Sequence, residues 1–181
     1  MIRTIRIDHV LRETVRTPYA DLVTRPTGAA VRNRIRLVLS DAPCHAACLD
    51  FSDVGLVDFS CADEVIAKLI LDLPAEGAPY VLLLGVSDAQ REAIDYVLAW
   101  HSLAVAEVPS RGAPPAVLGR LNPDARRAFE RVTETGPGDS GRLAAALGWT
   151  VERAADALQT LALLRLVQAG GGTYSPLPLP A

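Results

Sequence analysis

The sequence predicts an α/β domain followed by a smaller, mostly helical domain. Three observations carry that prediction. Apolar runs of strand length alternate with amphipathic helical stretches across residues 2–108, the rhythm of helices packed on a sheet. The stretch Pro109-Ser110-Arg111-Gly112-Ala113-Pro114-Pro115 then interrupts it and reads as a linker by composition. Charge changes at the same point: residues 1–108 carry 10 Arg and Lys against 15 Asp and Glu, and residues 109–181 carry 8 against 6. The expected division is an α/β domain over 1–108, a linker over 109–122 and a second domain over 123–181.

Each element has its own signal. Residues 2–10 alternate apolar and polar side chains, the pattern of a half-buried strand. Residues 11–26, broken by Pro18 and Pro26, read as irregular. Thr27 is a candidate N-cap for a helix to about residue 40, with Val31, Ile35, Val38 and Leu39 at helical spacing. Residues 46–51 form a short apolar run suited to a buried strand. Ser60 opens a second helix, with Ala62, Val65, Ile66, Leu69 and Leu73 on one face. Asp63, Glu64, Lys68 and Asp72 take the other face, and Pro74 and Gly77 stop the helix. Residues 80–85 are a buried strand. Ser87 and Gln90 have the spacing of a capping box, and Ala93, Ile94, Val97 and Leu98 supply the core stripe of the helix they start. Residues 103–108 close the sheet.

The second domain has helices over about 124–134, 140–147 and, after the cap Thr150, up to about 163. Strands over 164–169 and 173–177 follow, joined through Gly170-Gly171-Gly172. Three helices and a glycine-turned hairpin is the order of a winged helix-turn-helix.

Composition excludes several classes. At 181 residues the chain fits one ordinary domain or two small ones. A net charge of −3 gives no global attraction to nucleic acid or membrane. The first residues hold no long apolar run, so no signal peptide is expected, and no apolar stretch is long enough for a membrane helix. Three cysteines without a secretion signal point to free thiols in a reducing cytoplasm. No Ser/His/Asp spacing and no phosphate-cradling glycine loop is present, so neither catalysis nor a cofactor is expected. Cys44-His45-Ala46-Ala47-Cys48 lacks the second ligand pair a zinc site needs, leaving only Cys61, His9 and His101. The cluster Asp50, Asp53, Asp58, Asp63 and Glu64 fits no calcium loop, and Arg32 and Arg36 share a helical face that reads as solvated.

Two resemblances add to this. Residues 2–108 resemble the STAS superfamily (sulfate transporter and anti-sigma factor antagonist domains), and within it the STAS-like branch found with histidine-kinase-type ATPases. Carrying it are Thr27-Gly28-Ala29-Ala30-Val31-Arg32, Leu49-Asp50-Phe51-Ser52-Asp53-Val54 and Ser60-Cys61-Ala62-Asp63-Glu64. The resemblance implies a mixed sheet with packed helices and a non-enzymatic module that docks on a partner, often an anti-sigma kinase. The implied docking surface is the loop before the second helix and that helix's first turns, with Asp53, Asp58, Ser60, Asp63, Glu64 and Ala67 as candidate contacts. In that family the loop reads Asp-Ser-Ser/Thr-Gly and its first serine is phosphorylated. Here Asp58 matches, Phe59 occupies the phosphoacceptor position, Cys61 the glycine position, and Ser60 matches only the motif's second hydroxyl. Ser60 is read first as the helix N-cap, accepting from the Asp63 N–H, and alternatively as a phosphoacceptor.

The stretch Arg142-Leu143-Ala144-Ala145-Ala146-Leu147-Gly148-Trp149-Thr150-Val151-Glu152-Arg153 resembles the helix-turn-helix core of MarR-like regulators, within about 124–177. It implies Arg126, Arg127, Arg142, Arg153, Gln159 and Arg165 as candidate DNA contacts. Glu152 and Asp156 on the would-be reading helix repel phosphate, and the glycine hairpin carries no arginine at its tip. The expectation is therefore a cytoplasmic, bacterial-type regulatory protein that binds a protein partner such as an anti-sigma factor or histidine-kinase-type ATPase. The alternative is a transcriptional regulator that reads DNA through the winged helix and senses through the STAS-like domain.

Overall fold

The computed structural model describes residues 1–16, 18–74 and 77–181. A five-stranded sheet runs in the order β1 (Ile2–Arg6), β2 (Ala46–Asp50), β3 (Tyr80–Leu84), β4 (Ala104–Val108) and β5 (Ala116–Gly119). The first four strands are parallel and β5 pairs antiparallel with β4. Between them lie α1 (Ile7–Val15), α2 (Arg25–Asp41), α3 (Phe59–Ala62), a π-helical turn (Asp63–Ala67), α4 (Lys68–Asp72) and α5 (Asp88–Trp100). Then come α6 (Pro123–Thr135), α7 (Ser140–Leu147), α8 (Val151–Leu163) and the hairpin β6 (Val167–Gly170) and β7 (Thr173–Pro176). Among the described residues no helix is long and apolar enough to cross a membrane.

Strand order explains the layering. Parallel neighbours joined in sequence by right-handed crossovers send every connecting helix to the same face. Ile5, Leu49, Leu83 and Val105 point to that face and pack with Leu11, Val31, Ile35, Ile66, Ile94 and Leu98 of the crossover helices. The opposite face would stand bare, yet strand side chains alternate and half point there. Ala46, Cys48, Leu82, Leu84, Ala104 and Ala106 fill it and share a second core with Ala125, Phe129 and Val132 of α6 and Leu158 and Leu161 of α8. The C-terminal helices are thus the third layer of the sheet, and four small strand residues (Ala46, Cys48, Ala104, Ala106) lie beneath them. Arg165 ties this layer to the sheet, donating to the Ala78 carbonyl and stacking over Tyr80 at 4.9 Å.

Several boundaries differ from the sequence expectation. The strand expected over 2–10 ends at Arg6, because Ile7, Val10 and Leu11 recur at i, i+3 and i+4 and are buried as a helical stripe. Residues 11–15, expected irregular, complete that helix. The second helix starts at Arg25 with Pro26 in its first turn, where a missing N–H is tolerated, so Thr24 and not Thr27 is its N-cap. The stretch expected as a linker contains β5, an edge strand of four residues flanked by proline and glycine. The capping box at Ser87 and Gln90 is present, and Ala93, Ile94, Val97 and Leu98 are buried as expected.

One ion pair sits in the core. Glu107 on β4 is fully buried and receives both Arg91 nitrogens, at 2.6 and 2.8 Å. Removing one partner leaves an uncompensated buried carboxylate, which costs about 3–5 kcal/mol, whereas removing both is close to neutral. Urea unfolding should therefore show a large loss for Arg91→Leu and recovery of most of it in Arg91→Leu/Glu107→Leu.

Candidate functional site

The elbow expected to bind a partner is built where residues 20–24 run beside residues 54–58. Leu22 and Val57 form an isolated parallel bridge. The Leu22 N–H donates to the Leu56 carbonyl at 2.8 Å, and the Asp58 N–H donates to the Leu22 carbonyl at 3.0 Å. Asp21 Oδ1 accepts the Leu56 N–H at 2.8 Å. A Cβ at Gly55 would fall 2.2 Å from Asp21 Oδ1 and would push that carboxylate off the Leu56 N–H. The buried Gln90 amide fixes the loop from the other side. Its Nε2 donates to the Val54 and Gly55 carbonyls at 2.7 and 2.8 Å, while its Oε1 accepts the Ser87 N–H.

Asp58 holds the two strands and the helix together. Its Oδ1 accepts the Cys61 N–H at 2.7 Å and the Ser60 hydroxyl at 2.9 Å, and its Oδ2 accepts the Thr24 N–H at 2.9 Å. Asp58 is therefore the N-cap of α3. This corrects the expectation for Ser60: it lies inside the first turn, and its hydroxyl donates to Asp58 instead of accepting from Asp63. Burial pushes the Asp58 pKa up. The donors from Thr24, Cys61 and Ser60 together outweigh it and leave the pKa below the usual aspartate value. Thr24 itself has φ +72°, a conformation rare for a β-branched residue. Three bonds hold it there: Asp58 on its N–H, and the Gly28 N–H and Cys61 thiol on its carbonyl, at 3.2 and 3.0 Å. Burial and the neighbouring Asp58 raise the Cys61 thiol to about 12, so it is no nucleophile.

The remaining acids are not a free rim. Asp63 and Glu64 open the π-helical turn, and Glu64 is 3% exposed. Arg25 reaches both at 2.7 Å, Arg32 donates to Glu64 at 2.6 Å, and Lys68 also pairs with Glu64. His101 Nε2 meets Asp63 Oδ1 at 2.7 Å. Burial raises both carboxyls, yet hydrogen bonds from Arg25, with His101 at Asp63 and Lys68 at Glu64, bring them below their ordinary values. Asp53 is exposed but paired with Arg6 at 2.6 Å, and Ala67 is fully buried. Of the six contacts expected from sequence, Glu64 and Ala67 are interior, and Asp58, Ser60 and Asp63 are engaged inside the elbow. Arg32, expected on a solvated strip, is part of this network.

What faces outward is aromatic. Phe59, Tyr96 and Trp100 are 50%, 58% and 76% exposed. Phe59 and Tyr96 meet edge to face at 5.3 Å. With Arg25, Ser60, Asp63, Val97 and His101 they line an open groove of about 430 Å³ between α3 and α5. Sequence inspection missed it because its two sides come from different helices; the signal was Tyr96 and Trp100 at i, i+4, outside the core stripe of α5.

The candidate DNA contacts are largely committed elsewhere. Arg153 grips Asp124 through two bonds of 2.8 and 2.7 Å and stacks on Trp149 at 4.4 Å. Arg142 donates to the Pro137 and Thr135 carbonyls, Arg126 to Val117, and Arg165 to Ala78. Arg127 and Gln159 are exposed. Among the described residues no group of three or more His, Cys, Asp or Glu side chains could hold a metal ion. No protein-family model matches the sequence, and no match to a curated protein was found.

Two measurements test this geometry. Urea unfolding should place Asp58→Ala roughly 1–3 kcal/mol below the wild type, since the cap and two further hydrogen bonds are lost, with Ser60→Ala the smaller loss; the reverse order would restore Ser60 as the cap. The folded carboxyls of Asp58, Asp63 and Glu64 titrate below their unfolded values. Their stabilisation is therefore complete above the unfolded carboxylate range, about pH 4, and is lost as pH falls through the lower folded values. Asp58→Asn should flatten that acid limb.

Proposed function

We propose that this protein is a non-enzymatic regulatory module that docks a protein partner through the face formed by Phe59, Tyr96 and Trp100. The partner class is the one the STAS-like resemblance implies, an anti-sigma factor or histidine-kinase-type ATPase. One observation carries the proposal: three of the chain's few aromatic residues lie exposed together on the first turn of α3 and the last two turns of α5. Exposed aromatic side chains grouped around a groove are the composition of binding hot spots, which charged rims are not. The place agrees with the family's docking loop and helix. The side chains differ: the acids there are neutralised by Arg25, Arg32 and Lys68, and Asp63 is also hydrogen-bonded to His101, so apolar contact supplies the affinity.

The C-terminal layer has the element order of a winged helix, including an antiparallel bridge from Gly138 to Tyr174 beside the hairpin. Its role in this proposal is to cover the sheet. The would-be reading helix presents Glu152 and Asp156, and Arg153 is bound to Asp124, which leaves few cations for phosphate.

Affinity capture with the intact chain should recover an ATPase of this class or its sigma-pathway neighbour, and Trp100→Ala should weaken that association by about tenfold or more. Trp100 is exposed, so the variant should melt with the wild type. Capture unaffected by Trp100→Ala and Phe59→Ala, or sequence-specific retardation of DNA by the wild type, would reject the proposal.

A further inference from the structure

Resting on the docking role proposed above, we propose that the partner element seated on this face is a basic amphipathic helix. The exposed stripe of α5 carries Asp88, Glu92, Tyr96 and Trp100 at successive four-residue steps, so two carboxylates lead into two aromatic rings along one line. Asp95 is exposed beside it, with one oxygen accepting the Gly119 N–H. The cations nearby are spent. Arg91, the single basic residue of α5, is turned to the buried Glu107, and Arg25 across the groove is held by Asp63 and Glu64. Asp88 lies only 3.9 Å from Arg91 at its closest, and Glu92 is exposed on the outer surface.

A carboxylate pair followed by aromatic faces suits one kind of ligand surface. Lysine or arginine side chains neutralise Asp88 and Glu92 and stack on Tyr96 and Trp100, and an apolar side chain beside them enters the groove against Phe59. From Glu92 to Trp100 the stripe runs about 12 Å, two turns of helix, which matches cations and an apolar anchor at i, i+4 and i+7 on a facing helix. The same negative stripe repels an anionic lipid surface.

The test uses the intact Trp149→Phe protein, so that Trp100 is the single tryptophan reporting. The probes are two synthetic peptides of about 18 residues, a Leu/Lys amphipathic helix and its Leu/Glu counterpart. The Leu/Lys peptide should shift Trp100 emission to the blue in a saturable way, and weaken as salt rises. Asp88→Lys/Glu92→Lys, both at exposed positions, should lower its affinity by about tenfold, and the Leu/Glu peptide should leave the emission unchanged. No shift with the Leu/Lys peptide, equal binding of both peptides, or a shift produced by anionic vesicles would overturn the inference. If partner capture still depends on Trp100 while peptide charge is irrelevant, the docking role stands and only the basic helix falls. If capture is also independent of Trp100, the docking role itself falls.

Discussion

A single carboxylate organises the surface by which this protein is proposed to act. Asp58 accepts from Thr24, Ser60 and Cys61, three donors from two segments far apart in sequence. Those bonds cap α3, hold the strained Thr24 backbone and set where the helix begins. Phe59 follows Asp58 directly, so its outward direction is fixed by the cap. Gly28 makes the crossing beneath it possible: a Cβ there would fall 2.9 Å from Glu64 Cβ and 3.1 Å from Cys61 Cα, so α2 and the start of α3 meet almost backbone to backbone. That close approach lets Arg25 and Arg32 of α2 reach Asp63 and Glu64.

A second constraint comes from topology. Four parallel strands in sequential order bury one face under their own crossovers and leave the other open. Closing it with α6 to α8 puts the C-terminal half to structural use and ties Arg126, Arg142, Arg153 and Arg165 to other groups of the chain. The aromatic groove lies among the crossover helices, outside that second core, so the covering layer leaves it open. The proposed docking surface and the covering layer thus occupy opposite sides of one sheet.

Much of this was legible in the sequence wherever the signal is local. The capping box at Ser87 and Gln90, the buried stripe of α5 and the three C-terminal helices follow from spacing alone. The failures have physical causes. Residues 2–11 fit a period of 2 and a period of 3.6 almost equally, and burial of Ile7, Val10 and Leu11 decides for helix after Arg6. Ser60 and Asp58 are equally good capping side chains by type, yet Asp58 reaches both the helix and Thr24, a partner no local pattern discloses. The acidic residues looked solvent-facing because their neutralising arginines belong to another helix. Gln90 was visible as half of a capping box; its two further bonds to the Val54 and Gly55 carbonyls were not.

The account depends on Asp58 fixing the elbow independently of the rest of the sheet. Amide hydrogen exchange of wild type and Asp58→Ala, read residue by residue, tests this most directly. Exchange should accelerate by about tenfold or more at Thr24 and Cys61, whose N–H groups Asp58 accepts, with β2 and β3 protected as before. Unchanged protection at Thr24 and Cys61 would contradict it, because some other contact would then be holding the elbow in place.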